Sequence, residues 1–203
     1  MCHSRTPDMT RTVPFTAFGL LSLAALAVGL WSLRYALPAM PAAAPLGNLA
    51  TDRLAFVVHA VSASIALLLG PLQFVDALRR RPGWHRATGW ASVAAISVAW
   101  AASLPMAMHA QTGSVASAGF LALGAAWVVT TTLGVVRARE RRFAEHRRWM
   151  VRSYSLTAAA ITLRMQLGLI ALAGIPFDTG YPVIAWACWV PNLVVAEWLL
   201  RRR

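Results

Sequence analysis

The stretch RARERRFAEHRRWMVRSYSLTAAAITLR, Arg137–Arg164, decides how the chain is organised. It opens as a cationic loop in which Arg137, Arg139, Arg141, Arg142, Arg147, Arg148 and Arg152 are diluted only by Glu140 and Glu145. It then becomes an apolar run of helix length that still carries Arg164. A basic loop feeding a membrane helix marks the cytoplasmic side of the bilayer. An arginine kept at membrane depth is costly and points to function.

The composition around that stretch agrees. Of 203 residues, 58% are hydrophobic and 13% charged, whereas a soluble domain carries roughly 25% charged residues. The apolar residues fall in runs long enough to cross a hydrocarbon layer of ~30 Å. They predict six transmembrane helices over about 13–37, 54–76, 89–108, 115–136, 150–173 and 182–200. The expected fold is an all-α integral membrane bundle, one domain over 13–203 behind a polar tail, 1–12. The first run exceeds the ~7–15 residues of a signal-peptide core, so it reads as an uncleaved helix.

All 19 basic residues are arginine, and the formal net charge is +12. The tail, Arg79–Arg86, Arg137–Arg148 and Arg201–Arg203 hold nearly all of them and fall on one side of a six-helix topology. The other three loops hold Asp52, Arg53, His109 and Asp178. This places both termini in the cytoplasm and sets the arginine clusters against anionic lipid head groups. It removes nucleic acid as a partner, because the charge follows the helix ends and not one binding face. Cys2 and Cys188 lie in different environments, so no disulfide is expected between them. The absence of C-x-x-C-H excludes covalent haem attachment of the c type.

Few polar residues remain at membrane depth. His59 lies roughly 8 Å below the outer surface on a helical face of His59, Ala63, Ala66, Gly70 and Gln73. That small-residue stripe has two readings: close helix packing with His59 bonded to a neighbour, or a flat cofactor with His59 as axial ligand. His109, at the outer end of the third helix, is the second candidate ligand, and the pair would hold the iron of haem b. His85 and His146 share the inner surface. They read as groups meeting lipid phosphates and loop carbonyls, or as ligands of a second haem. Set 61 residues apart, they also overlay Arg80–Arg81 on Arg141–Arg142 and Arg86 on Arg147, each set opening a helix after a basic turn.

Arg164 shares a helical face with Ser153, Thr157, Ala160, Gly168 and Ala171. It needs an anion, such as a haem propionate or an anionic substrate, or a route outward along which to snorkel. Glu197 stands ~15 Å away in depth, too far to pair with it and better placed for Arg148 or Arg152. In the sixth helix Pro191 removes a backbone donor and predicts a kink. Asn192 beside it either satisfies a freed carbonyl or lines a site.

The runs HAVSASIALLLGPLQF, WHRATGW, EHRRWMVRSYSLTAAAITLR and YPVIAWACWVPNLVVAEW resemble the prokaryotic predicted membrane proteins grouped as domain of unknown function (DUF) 2306. The resemblance covers His59 to Trp198 and implies a multi-pass bacterial membrane protein. The family's recurrent positions match His59, Gly70, Pro71, Gln73, His85, Arg86, His146, Arg147, Trp149, Arg152, Tyr154, Arg164, Asn192 and Glu197. The chain departs from the family at Trp90, where an arginine usually follows the glycine. The family carries no activity to transfer. Three kinds of function therefore stand as expectations for a protein of the bacterial cytoplasmic membrane: a b-type haem protein with its cofactor toward the outer half, a small-molecule transporter built on Arg164 and Asn192, and a non-catalytic partner in a membrane complex.

Overall fold

Proline marks where two helices of this chain begin, at Pro82 and at Pro191. The computed structural model describes residues 15–37, 53–110 and 112–202. The polar tail and the expected outer loop over 38–52 lie outside them, as does Cys2. Among the described residues six segments are long and apolar enough to cross a membrane, and no strand is present. The first two are α1, Phe15–Leu33, prolonged by a 3-10 turn Arg34–Ala36, and α2, Arg53–Leu72. Then come α3, Pro82–Met108, and α4, Ser114–Arg139. The fifth span is two helices, α5 (Phe143–Thr157) and α6 (Ala159–Leu172), and the sixth is also two, α7 (Phe177–Ala187) and α8 (Val190–Arg201).

The basic loops of the sequence reading are helix ends in the structure. α3 starts at Pro82, seven residues ahead of the expected Gly89, because a proline at the first helical position loses no bond and already has a helical φ. α4 runs on to Arg139 and α5 starts at Phe143, so Arg137 and Arg139 are helical, as are His146, Arg147, Arg148 and Arg152. Only Glu140–Arg142 turn, with Arg141 at φ 59°. A run of arginines has no backbone reason to leave a helix, since arginine is a good helix former. The positions matched at 61 residues take the same place in their helices: Pro82 and Phe143 open them, and His85 and His146 donate their backbone N–H to the carbonyls of Arg81 and Arg142, as first-turn residues of any helix do.

The breaks at Ala158 and at Cys188–Trp189 stitch to each other. Pro191 has no N–H to offer the Ala187 carbonyl one turn back, and Gln166 Nε2 on α6 donates to that carbonyl at 3.1 Å. Asn192 Nδ2 donates to Thr162 Oγ1 and to the Cys188 carbonyl, each at 3.1 Å, and to the Ser155 carbonyl at 3.3 Å. The Thr162 hydroxyl in turn donates to the Cys188 carbonyl. Broken backbone at membrane depth persists because side chains take up its freed groups.

Small residues hold the bundle together. Ala66, Ala95, Ala99, Ala159 and Cys188 are buried together with Trp127 and Leu156, so backbones approach closely, as membrane helices do where lipid supplies no hydrophobic drive. α2 packs on α3, α4 lies between α3 and α5, and α1 leans on α2 at the edge. Two polar pairs join α4 to α5: Trp127 Nε1 donates to Thr157 Oγ1 at 2.9 Å, and Thr131 and Ser153 share a bond of 2.7 Å. Large side chains such as Leu23, Leu169, Leu172, Val183 and Val194 are exposed on the outside, where lipid is their solvent.

Candidate functional site

Arg164 leaves the face expected for it. Ser153 and Thr157 turn to α4, while past the break at Ala158 Arg164 turns to α1. Its Nη1 donates to the Ala160 carbonyl at 2.8 Å and its Nη2 to Ser32 Oγ at 2.8 Å. The first of these bonds runs back one turn toward the helix N-terminus, so the side chain does not snorkel along its own helix to the nearer surface. Two neutral oxygens take two of the guanidinium's five donors. Among the described residues no carboxylate pairs with it; the titratable groups within electrostatic reach of it are Arg34, Tyr35 and His59.

His59 approaches from α2. Its Nδ1 lies 2.9 Å from the Ala99 carbonyl on α3. A carbonyl only accepts, so Nδ1 carries the proton, and in the neutral ring Nε2 keeps its lone pair. This is the geometry of an oriented ligand or proton acceptor, with the second ring nitrogen fixed by backbone. The rim above is aromatic: Arg34 stacks 3.6 Å over the Trp31 ring, and Tyr35 meets Phe56 edge-on at 5.0 Å.

His109 is not beside His59. It follows Ala99 by ten residues on α3, about 15 Å of rise, is exposed, and donates from Nδ1 to its own Pro105 carbonyl, 2.9 Å away. The rest of the small stripe is occupied by protein. Ala66 is buried in the core. A Cβ on Gly70 would stand 2.1 Å from Tyr154 Cε2, so the Tyr154 ring fills the space in front of it. Gln73 Nε2 donates to Thr88 Oγ1 at 2.7 Å and ties the end of α2 to α3.

The remaining candidates gather at the arginine-rich end. His146 Nδ1 lies 2.8 Å from the Gly134 carbonyl, and His85, whose buried Nδ1 has no hydrogen-bond partner, is within electrostatic reach of His146 and Arg79. Arg152 grips Glu197 through two of its guanidinium nitrogens, Nε on Oε1 and Nη2 on Oε2, the latter at 3.0 Å, and lies 4.5 Å over the Trp149 ring. Of the two partners open to Glu197, the structure uses Arg152. Arg147, too, makes contacts there. In the turn after α4, the Arg137 guanidinium donates to Glu140 at 2.6 Å and holds that carboxyl below the usual carboxylate range. The Tyr154 hydroxyl is buried without a partner.

Two contributors escaped the sequence reading. Gln166 was as visible as Asn192, an amide at membrane depth two residues from Arg164. Ser32 had no such mark, since a lone serine in an apolar helix ordinarily bonds its own backbone, as Ser32 also does at the Val28 carbonyl, 2.7 Å.

With this architecture in place, the chain belongs to the predicted membrane protein family DUF2306, whose family model matches residues 56–200. The match begins inside α2, so α1 and Ser32 lie outside it. No curated protein and no solved structure matches the chain. It is a multi-pass helical membrane protein, with the lipid bilayer as its surroundings.

Proposed function

We propose that this protein binds an anionic ligand or cofactor in the half of the bundle away from the arginine-rich face, in the angle between α1, α2 and α6. The observation that carries this is Arg164: a cation inside a membrane span, held by two neutral oxygens, with no carboxylate paired to it among the described residues. A guanidinium at the bilayer centre costs about 2.5–3.5 kcal/mol on insertion scales. An anion with matching geometry offsets that cost with charge-assisted bonds.

Haem b is the first occupant to test. A propionate would meet Arg164, and Nε2 of His59 would face the iron; bound there, haem would supply one-electron redox chemistry. Among the described residues His59 would be the sole axial histidine at that depth, since His109 lies about 15 Å along α3. A visible spectrum of the purified protein decides this. A Soret band that shifts on dithionite reduction and disappears in His59→Ala supports haem. A colourless protein whose melting temperature rises with an added anion, and no longer does so in Arg164→Leu, keeps the anion site and removes haem.

The paired breaks in the fifth and sixth spans favour a second reading, a small-molecule transporter, because discontinuous helices at the midplane are where such proteins place substrate. Uptake of a labelled anion into proteoliposomes tests it. A colourless protein without uptake or anion binding would leave the third reading, a non-catalytic partner in a membrane complex. The arginine-rich face fits anionic head groups on the cytoplasmic leaflet, which suits a bacterial inner membrane with both termini inside.

A further inference from the structure

α1 is the least buried of the six spans: 17% of its most apolar window is buried, against 28% or more for the others. It lies outside the family match. Yet it supplies the hydroxyl that Arg164 holds, and among the described residues that is its one hydrogen bond to another span. Toward the arginine-rich end, the seam between α1 and the rest of the bundle is apolar, formed by Ala25, Val28, Leu67, Ala158 and Ile161. It reaches Tyr154, ten residues before Arg164 and so about 15 Å from it along the span. A guanidinium at one end of a long apolar seam is complementary to an amphiphile.

We propose that α1 is a lateral gate over the Arg164 site, and that the ligand is an amphiphilic anion entering from the bilayer, its carboxylate replacing Ser32 on Arg164 and its tail lying where α1 packs. This rests on the reading of Arg164 as the anion-holding residue. Arg164 then has two exclusive partners. In the closed state it holds the neutral Ser32 hydroxyl; in the open state it holds a carboxylate, through a stronger, charge-assisted contact. The rest of α1 resists opening only by side-chain packing, and lipid can replace that packing at little cost because it is as apolar as the seam.

The test locks the gate. Gly29 faces Leu68 so closely that a Cβ on Gly29 would stand 2.8 Å from Leu68 Cγ. Cysteines at both positions are therefore near enough to bridge, and Leu68→Cys also removes the clash. In phosphatidylcholine nanodiscs, tritiated oleate should bind the reduced Gly29→Cys/Leu68→Cys protein saturably, and acetate should not compete. Oxidation should cut binding by roughly tenfold or more, and dithiothreitol should restore it. Ser32→Ala, which removes the competing hydroxyl, should tighten oleate binding by roughly three- to tenfold, the worth of one hydrogen bond. Equal binding in the oxidised and reduced proteins, or unchanged or weaker binding in Ser32→Ala, overturns the gate. Should the double-cysteine protein fail to fold, the Ser32→Ala arm still decides. Competition by acetate as effective as that by oleate overturns the amphiphile. Undiminished oleate binding in Arg164→Gln overturns the anion site itself, an outcome separate from failure of the gate.

Discussion

Gly70 and Tyr154 show how a single residue type can be legible while its reason is not. The sequence marks Gly70 as part of a small-residue face, which suits either a cofactor or a neighbouring helix; only the partner distinguishes them, and the partner is an aromatic ring 84 positions away. Gly70→Ala would drive a methyl to 2.1 Å from that ring, an overpacking cost of ~1–3 kcal/mol. We expect a lower melting temperature in detergent, largely recovered when Tyr154→Leu is added; no recovery would mean that the strain lies elsewhere. Arg164 was legible from charge alone, because a cation in an apolar run needs an explanation wherever it points. Its contact with Ser32 was not, since a hydroxyl 132 residues away leaves no periodic trace. If Arg164 holds an anion, the preparation as purified should melt lower in Arg164→Leu and only partly recover in Arg164→Lys, because an ammonium lacks the planar fork. A Leu variant that melts as high as the parent, with any bound ligand retained, would leave a cation that serves only to fasten α1.

At the scale of elements, the paired breaks make a quantitative claim. The Ala187 carbonyl lacks a backbone donor because of Pro191, and Gln166 supplies one. Gln166→Leu should therefore destabilise the parent by about 1 kcal/mol, between the average of ~0.6 kcal/mol and the maximum of ~1.7 kcal/mol found for interhelical bonds in membranes. In a Pro191→Ala background the new N–H can reach the carbonyl, and the same substitution should cost much less. A double-mutant cycle by equilibrium unfolding in mixed micelles measures the coupling; a coupling near zero would show that the carbonyl is satisfied in another way. The break at Pro191 could be read from the sequence because proline acts locally. The break at Ala158 could not, since TAAAIT contains nothing that disfavours a helix, and the neighbouring span with its Asn192–Thr162 bond is what accompanies it. The helix ends depart from expectation for a related reason. A run of arginines reads as loop, whereas its charge dictates depth and leaves backbone conformation free.

For the whole molecule, the number of spans was readable because hydropathy is summed over some twenty residues and needs no knowledge of partners. The orientation proposed from arginine placement is open to direct test. Alkaline phosphatase fused after Thr112, between α3 and α4, should be active; fused after Arg139, at the end of α4, it should be inactive. The opposite pattern would invert the bundle and put the Arg164 site in the inner leaflet. Which helices touch was far less readable. Alanine-rich faces occur on several spans, and lipid is as good a neighbour for an alanine as another helix is.

The bond between Ser32 and Arg164 also has a consequence in time. Its donor is made 132 residues after its acceptor, and at 5–20 residues per second the interval is on the order of ten seconds. For that period α1 must stay in the membrane on its packing against α2, without its polar tie. It is equipped to do so: its mean hydropathy is 1.8, and Ser22 and Ser32 each spend their proton on their own helix, at the Phe18 and Val28 carbonyls. The fifth span arrives with the opposite character, carrying a charge that bare lipid receives poorly. The first helix is thus the waiting partner, and a ribosome stalled before residue 164 should leave it held to the nascent bundle by its packing on α2 alone, without its polar tie.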